Sequence, residues 1–242
     1  MSEKKLDLIA QMLAKAESTT PEEAEALTEH AERLMLKYQI DQAMIDSRRQ
    51  AGSKSKEQIV TKTVDLVGSY RKALMNMWYS IGLSYGPLQF LKSNDNGKFI
   101  RLTIIGFSGD VDQYITLGTS LQVQATVALR AWWLAHKAEY AGVRSYEQWE
   151  ARSSFINGFG NGAAKRIRDN KYKIIEEAGT GTEIVLADRG TAVREYFDNI
   201  PSRKARATKQ AYDPAANGAG NKAGQNARTG EKAITNIKPV TA

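Results

Sequence analysis

The sequence predicts a predominantly helical α+β chain: a small three-helix module at the N-terminus, then a larger domain with a β-hairpin or small sheet and two long antiparallel helices. Three observations carry this. Apolar residues recur at spacings of three and four over most of the length. A few short runs rich in β-branched residues interrupt that period, and two strand-length runs flank Asn94-Asp95-Asn96-Gly97. Finally, 242 residues with 42% hydrophobic and 25% charged content make a globular composition, long enough for one or two domains.

The acidic module spans residues 1–50. Leu6, Ile9, Leu13 and Ala16 line one side of a first helix. In Thr20-Pro21-Glu22-Glu23 the hydroxyl caps a second, proline fits the first turn and Glu23 closes a capping box. Ala24, Leu27, Ala31, Leu34 and Tyr38 form its narrow seam, and five glutamates between Glu22 and Glu32 occupy the rest. A short third helix from about Asp41 covers the pair with Met44 and Ile45. Residues 51–58 have small and charged residues without an apolar anchor and read as a linker.

The α+β domain, residues 59–200, opens on Ile59–Val67 as a strand. A helix over 69–84 follows, with Tyr70, Leu74, Met77, Trp78 and Ile81 inward; Leu88–Lys92 and Phe99–Ile105 then pair across a turn of the positive-φ kind. A helix of some thirty residues runs from Gly109, with Asp110 as its cap and Ile115, Gly118, Leu121, Ala125, Ala128 and Trp132 buried. A further helix covers 145–169, with Trp149, Ile156, Ala163 and Ile167 inward, and pairs with the first through a bend at Gly142. Residues 183–187 predict a last strand and 190–199 a short helix.

Residues 201–242 form a basic, Ala/Gly-rich arm. Composition favours disorder, but Asp213-Pro214 is a good cap and first turn. Ala215, Ala219, Ala223 and Ala227 recur every four residues, allowing a helix over 213–229 with one smooth face. The last residues are expected to be loose.

Chemistry is harder to find. No cysteine is present, which removes disulfides and thiolates. His30 and His136 belong to no metal-ligand spacing and read as surface and helix-end residues. Gly158-Phe159-Gly160-Asn161-Gly162 lies within a helical period with no strand before it, so close helix packing explains it better than a phosphate loop. Asp65, Asp110, Asp112 and Asp188 would serve a divalent-metal hydrolase if they converged, but capping explains the local pattern equally well. Tyr70, Tyr85 and Trp133 are the candidate base-stacking aromatics. The sequence predicts no catalytic residue, no metal and no cofactor.

Charge is the remaining signal. The net charge is +7, with −3 over residues 1–50 (7 Lys/Arg, 10 Asp/Glu) and +6 over 200–242 (8 against 2). That asymmetry points to phosphate contact by Lys165, Arg166, Arg168, Lys171 and Lys173 and by Arg203, Lys204, Arg206 and Lys209. The acidic helix over 21–38 is the candidate surface for a host protein. No apolar run approaches 18 residues and no leader is visible, so a cytoplasmic protein without a membrane span is expected.

Residues Leu8–Ala26 and Leu34–Asp41, with Ala14-Lys15-Ala16-Glu17-Ser18-Thr19, Pro21-Glu22-Glu23-Ala24 and Leu34-Met35-Leu36-Lys37-Tyr38-Gln39-Ile40-Asp41, resemble an uncharacterised bacterial and bacteriophage family of unknown function. The following region resembles that family's usual companion, in its Ser154-Phe155 and Gly158-Phe159 stretch and Val185-Leu186-Ala187-Asp188-Arg189. The resemblance implies a phage or prophage origin and supplies no activity or site residues. The expected function is a non-enzymatic phage-type accessory protein that binds nucleic acid. The alternatives are an adaptor or inhibitor of a host factor and, more weakly, a metal-dependent nuclease.

Overall fold

The computed structural model describes residues 58–95, 97–178, 182–203 and 212–227, together with Met12, His30 and Leu34. The predicted module and linker otherwise lie outside the described residues. Met12 and Leu34 are helical and pack, partly buried, against the core.

The described elements are β1 (Ile59–Val67), α1 (Arg71–Tyr85), β2 (Gln89–Asp95), β3 (Phe99–Phe107), α2 (Ser108–His136), α3 (Ser145–Ala178), α4 (Thr182–Asp198) and α5 (Pro214–Gln225). The three strands form one antiparallel sheet in the order β1-β3-β2. The hairpin turns at Gly97 with φ of 79°, the left-handed region that glycine adopts without a Cβ penalty. Along β3, Ile100, Leu102 and Ile104 are buried while Arg101 faces out, the period-two alternation of a half-buried strand.

Helix α1 is the centre of the packing. It runs antiparallel to α2, with Trp78 Nε1 donating to Gln122 Oε1 (2.7 Å) and Tyr85 Oη to Gln113 Oε1 (2.9 Å). It runs parallel to α3, with Asn76 opposite Asn157 and Ser80 opposite Asn161. Helices α2 and α3 are therefore antiparallel, as the sequence predicts, but α1 is wedged between most of their lengths. Two glycines make the wedge possible: a Cβ at Gly118 would lie 2.5 Å from the Trp78 ring, and one at Gly160 would lie 2.6 Å from Met77 Cα. The long helices meet beside their connection, where Trp132 stacks on Phe155.

Two expectations are corrected and one open alternative is resolved. The predicted strand at 183–187 is the start of the continuous helix α4. Ile184 and Val185 favour strand by propensity, yet Arg189 and Val193 fall one helical turn apart and both are buried, so tertiary contact overrides the local preference. Asp110 does not cap α2; the N-cap position is Phe107, without a side-chain cap, and Asp110 turns inward. Of the two readings of the C-terminal segment, the helix holds over the described residues 214–225. Asp213 Oδ1 accepts from Ala216 N (2.9 Å), α5 starts at Pro214, and the helix lies against α3 with Ala216, Gly220 and Gly224 buried.

Candidate nucleic-acid interface

The basic end of α3 divides into two sets of side chains because successive residues step about 100° around a helix. Ile167 faces the core. Lys171, one turn on, follows it: its Nζ reaches the Tyr85 carbonyl (3.4 Å), and burial pushes its pKa below the usual lysine range, against the opposing pull of Asp110. Arg166 is committed as well, donating to the Ala227 carbonyl (2.7 Å) at the far end of α5. Lys165, Arg168 and Lys173 face solvent with Tyr172, which is 65% exposed. Lys165 is bonded to Asp169 (3.0 Å), an exposed pair of little net energy that leaves the ammonium accessible. Arg203 is exposed; Lys204, Arg206 and Lys209 lie outside the described residues.

A buried polar cluster was not foreseen. Arg189 of α4 donates to Asp110 Oδ2 (2.9 Å), both side chains are at most 5% exposed, and the guanidinium lies 3.8 Å from the centre of the Phe107 ring. Burial and the nearby Asp110 charge together raise the Tyr85 phenol well above its ordinary pKa. Asp110 and Arg189 are 79 residues apart, so no local spacing links them.

Of the three candidate stacking aromatics, Tyr85 is buried. Tyr70 and Trp133 are brought together by Arg152, whose guanidinium carbon is 4.5 Å from the Trp133 centroid and 5.9 Å from that of Tyr70. Trp133 also meets Tyr140 (5.3 Å), so its ring is already engaged. His136 stacks on Trp132 (5.1 Å) and its Nδ1 bonds the Trp132 carbonyl (2.8 Å), while His30 is exposed.

The candidate metal ligands each face elsewhere. Asp65 is held by both guanidinium bonds of Arg101 (2.7 Å each), which lower its pKa; Asp112 pairs with Lys62; Asp110 is the buried partner of Arg189; Asp188 is exposed on α4. Among the described residues, no three His, Asp or Glu side chains are grouped so as to hold a cation. No helix among them is long and apolar enough to cross a membrane.

Residues 4–42 match the model of a family described as a protein of unknown function (DUF2786). No curated protein and no solved structure matches the chain. The match covers the segment whose capping box and seam carry the family resemblance, and it brings no activity with it.

Proposed function

We propose that the protein binds nucleic acid as a non-enzymatic, phage-type accessory protein of the bacterial cytoplasm, using the outward face of α3 and the basic segment that follows α4. One observation carries the reading: Lys165, Arg168, Tyr172 and Lys173 are all exposed on the last turns of α3, so cations and a stacking-competent ring share one surface. Phosphates pair with the cations and supply most of the affinity, and an unpaired base stacks on Tyr172. Arg166 and Lys171 are left out of the proposed interface because their contacts are intramolecular. Arg203, Lys204, Arg206 and Lys209 extend it.

Anisotropy of labelled single- and double-stranded DNA and RNA, titrated against the full chain at several salt concentrations, tests this. The log–log salt slope on duplex should fall by about 1.8 in R168E/K173E, roughly 0.9 for each lost phosphate contact. Y172A should weaken single-strand binding by about 1–3 kcal/mol. Absence of binding at about 50 mM salt, where such contacts are strongest, sinks the reading.

One observation favours docking on a host protein as a second reading. Val123, Val127 and Leu134 of α2 are 54%, 44% and 59% exposed and share the side opposite buried Leu121, Ala125 and Leu129. That side would offer apolar contacts to a partner, to which the acidic residues of 21–38, outside the described residues apart from His30 and Leu34, would add charge.

A further inference from the structure

The contact between α5 and α3 is backbone against backbone. A Cβ placed at Gly220 or Gly224 would lie 2.0 Å from the carbonyl oxygen of Phe155 or Phe159; one at Gly158 or Gly162 would lie 2.1 Å from that of Asn217 or Asn221. Four glycines, two on each parallel helix, therefore define a groove that only a small-residue helix can enter. Alignment is fixed at both ends. Asp213 N donates to Ser154 Oγ (2.8 Å), Asn217 Nδ2 to the Ser154 carbonyl (3.1 Å), Tyr140 Oη to Asp213 Oδ2 (2.9 Å), and Arg166 to the Ala227 carbonyl (2.7 Å).

The helix that fills this groove has little stability of its own. It is 12 residues long and contains Gly218, Gly220, Gly224, Asn217 and Asn221, all poor helix formers. The residues it buries are no larger than alanine, so it contributes little apolar surface of its own to the contact. Strict shape selection combined with modest docking energy is the profile of a segment that folds when it binds and can leave without unfolding its receptor. It is tethered by the thirteen residues between Asp198 and Tyr212.

We propose that the α3 groove between Phe155 and Ala163 is a receptor for this small-residue helix, that residues 212–227 occupy it as a releasable clip, and that the same segment from a second copy of the chain binds there in trans. The exchanged arrangement keeps every contact named above, so it differs from the closed one only by the tether.

The test uses the full chain carrying G220L/G224L, whose own clip cannot seat, and a fluorescent peptide of residues 212–227. Saturable binding to this variant is expected, with about tenfold or greater weakening for the wild-type chain, whose groove is filled, and none for a peptide with the same two substitutions. A folded variant, judged by circular dichroism, that does not take up the wild-type peptide overturns the proposal. If the variant does not fold, hydrogen exchange of the wild-type chain decides. Amides of 217–225 should exchange at least about tenfold faster than those of 155–163, by local opening. Equal protection would mean that α5 leaves only on global unfolding, and the clip is refuted.

Discussion

Two glycines in α5, two residues apart, should respond to the same substitution with opposite signs. Gly→Ala inside a helix gains roughly 0.8–1 kcal/mol from propensity alone. Gly218 is exposed and a Cβ there meets nothing within 4 Å, so G218A should keep the whole gain. At Gly220 the new methyl would sit 2.0 Å from the Phe155 carbonyl oxygen, whereas real Cβ contacts essentially never fall under 3.0 Å. The helices must part by about 1 Å, and because the obstacle is backbone it cannot rotate away. Overpacking of this kind costs about 1–3 kcal/mol, and the rigid obstacle puts G220A at the upper end, for a net loss of about 1–2 kcal/mol. At this chain length about 1 kcal/mol corresponds to roughly 2–4 °C in the melting temperature. Thermal melts followed by circular dichroism should show G218A a few degrees above wild type and G220A below it, or with less helix where the clip has been expelled. A G220A chain that keeps its helix content and melts at or above G218A would refute the close approach and the groove built on it.

Two further substitutions probe the buried and half-buried polar groups. D110A removes the carboxylate that faces the buried Arg189 guanidinium, in a site where both partners are at most 5% exposed, and should cost about 3–5 kcal/mol in denaturant unfolding. D110A/R189M should recover most of that loss, and a D110A midpoint close to wild type would mean the pair is not buried as described. Tyr140 donates to Asp213, and burial and that hydrogen bond raise its pKa from 10.0 to about 12. An acid that holds its proton more tightly when folded stabilises the fold below 10.0 and loses that contribution as pH climbs through about 12. Buried Tyr85 and Tyr114 act in the same direction. Urea midpoints should therefore fall over this range, and fall less steeply in Y140F; an unchanged slope would remove Tyr140 from the linkage.

Local signals made much of this fold legible. The β-branched run Ile59–Val67, the Asn-Asp-Asn-Gly turn and the Asp213-Pro214 cap each act within a few residues, and the observed elements begin and turn where those residues stand. Two separate readings, tight packing at Gly158 and Gly162 and a smooth face on a C-terminal helix, proved to be the two sides of one contact. Nothing in either segment names the other, because small-residue patterns specify closeness without specifying a partner. The misreadings have the same origin. Whether Ile184-Val185 lies in a helix, and whether Asp110 caps or pairs inward, is decided by Arg189 meeting Asp110 across 79 residues. For the candidate interface, the sequence shows a basic stretch but not which of its cations look outward.

That distinction changes what charge can mean in this chain. A run of five cations between Lys165 and Lys173 suggests five phosphate contacts, but the helix turns two of them to other tasks. Arg166 fastens the end of α5, and Lys171 sits against the Tyr85 carbonyl with its ammonium partly desolvated. A half-buried ammonium held against a backbone carbonyl offers little released counterion to a salt titration. Its influence is on stability, in the opposite sense from the tyrosines: the folded state holds the Lys171 proton less tightly, so its penalty eases as pH rises toward 10.5. What remains for nucleic acid on α3 is three exposed cations around one exposed ring. So small a set cannot hold a duplex strongly on α3 alone. The reading therefore needs Arg203, Lys204, Arg206 and Lys209 to act with it, and these four lie on the tether that leads into the clip. If both proposals hold, phosphate contact along that tether and seating of α5 on α3 draw on the same stretch of chain, and nucleic acid binding should alter the protection of amides 217–225.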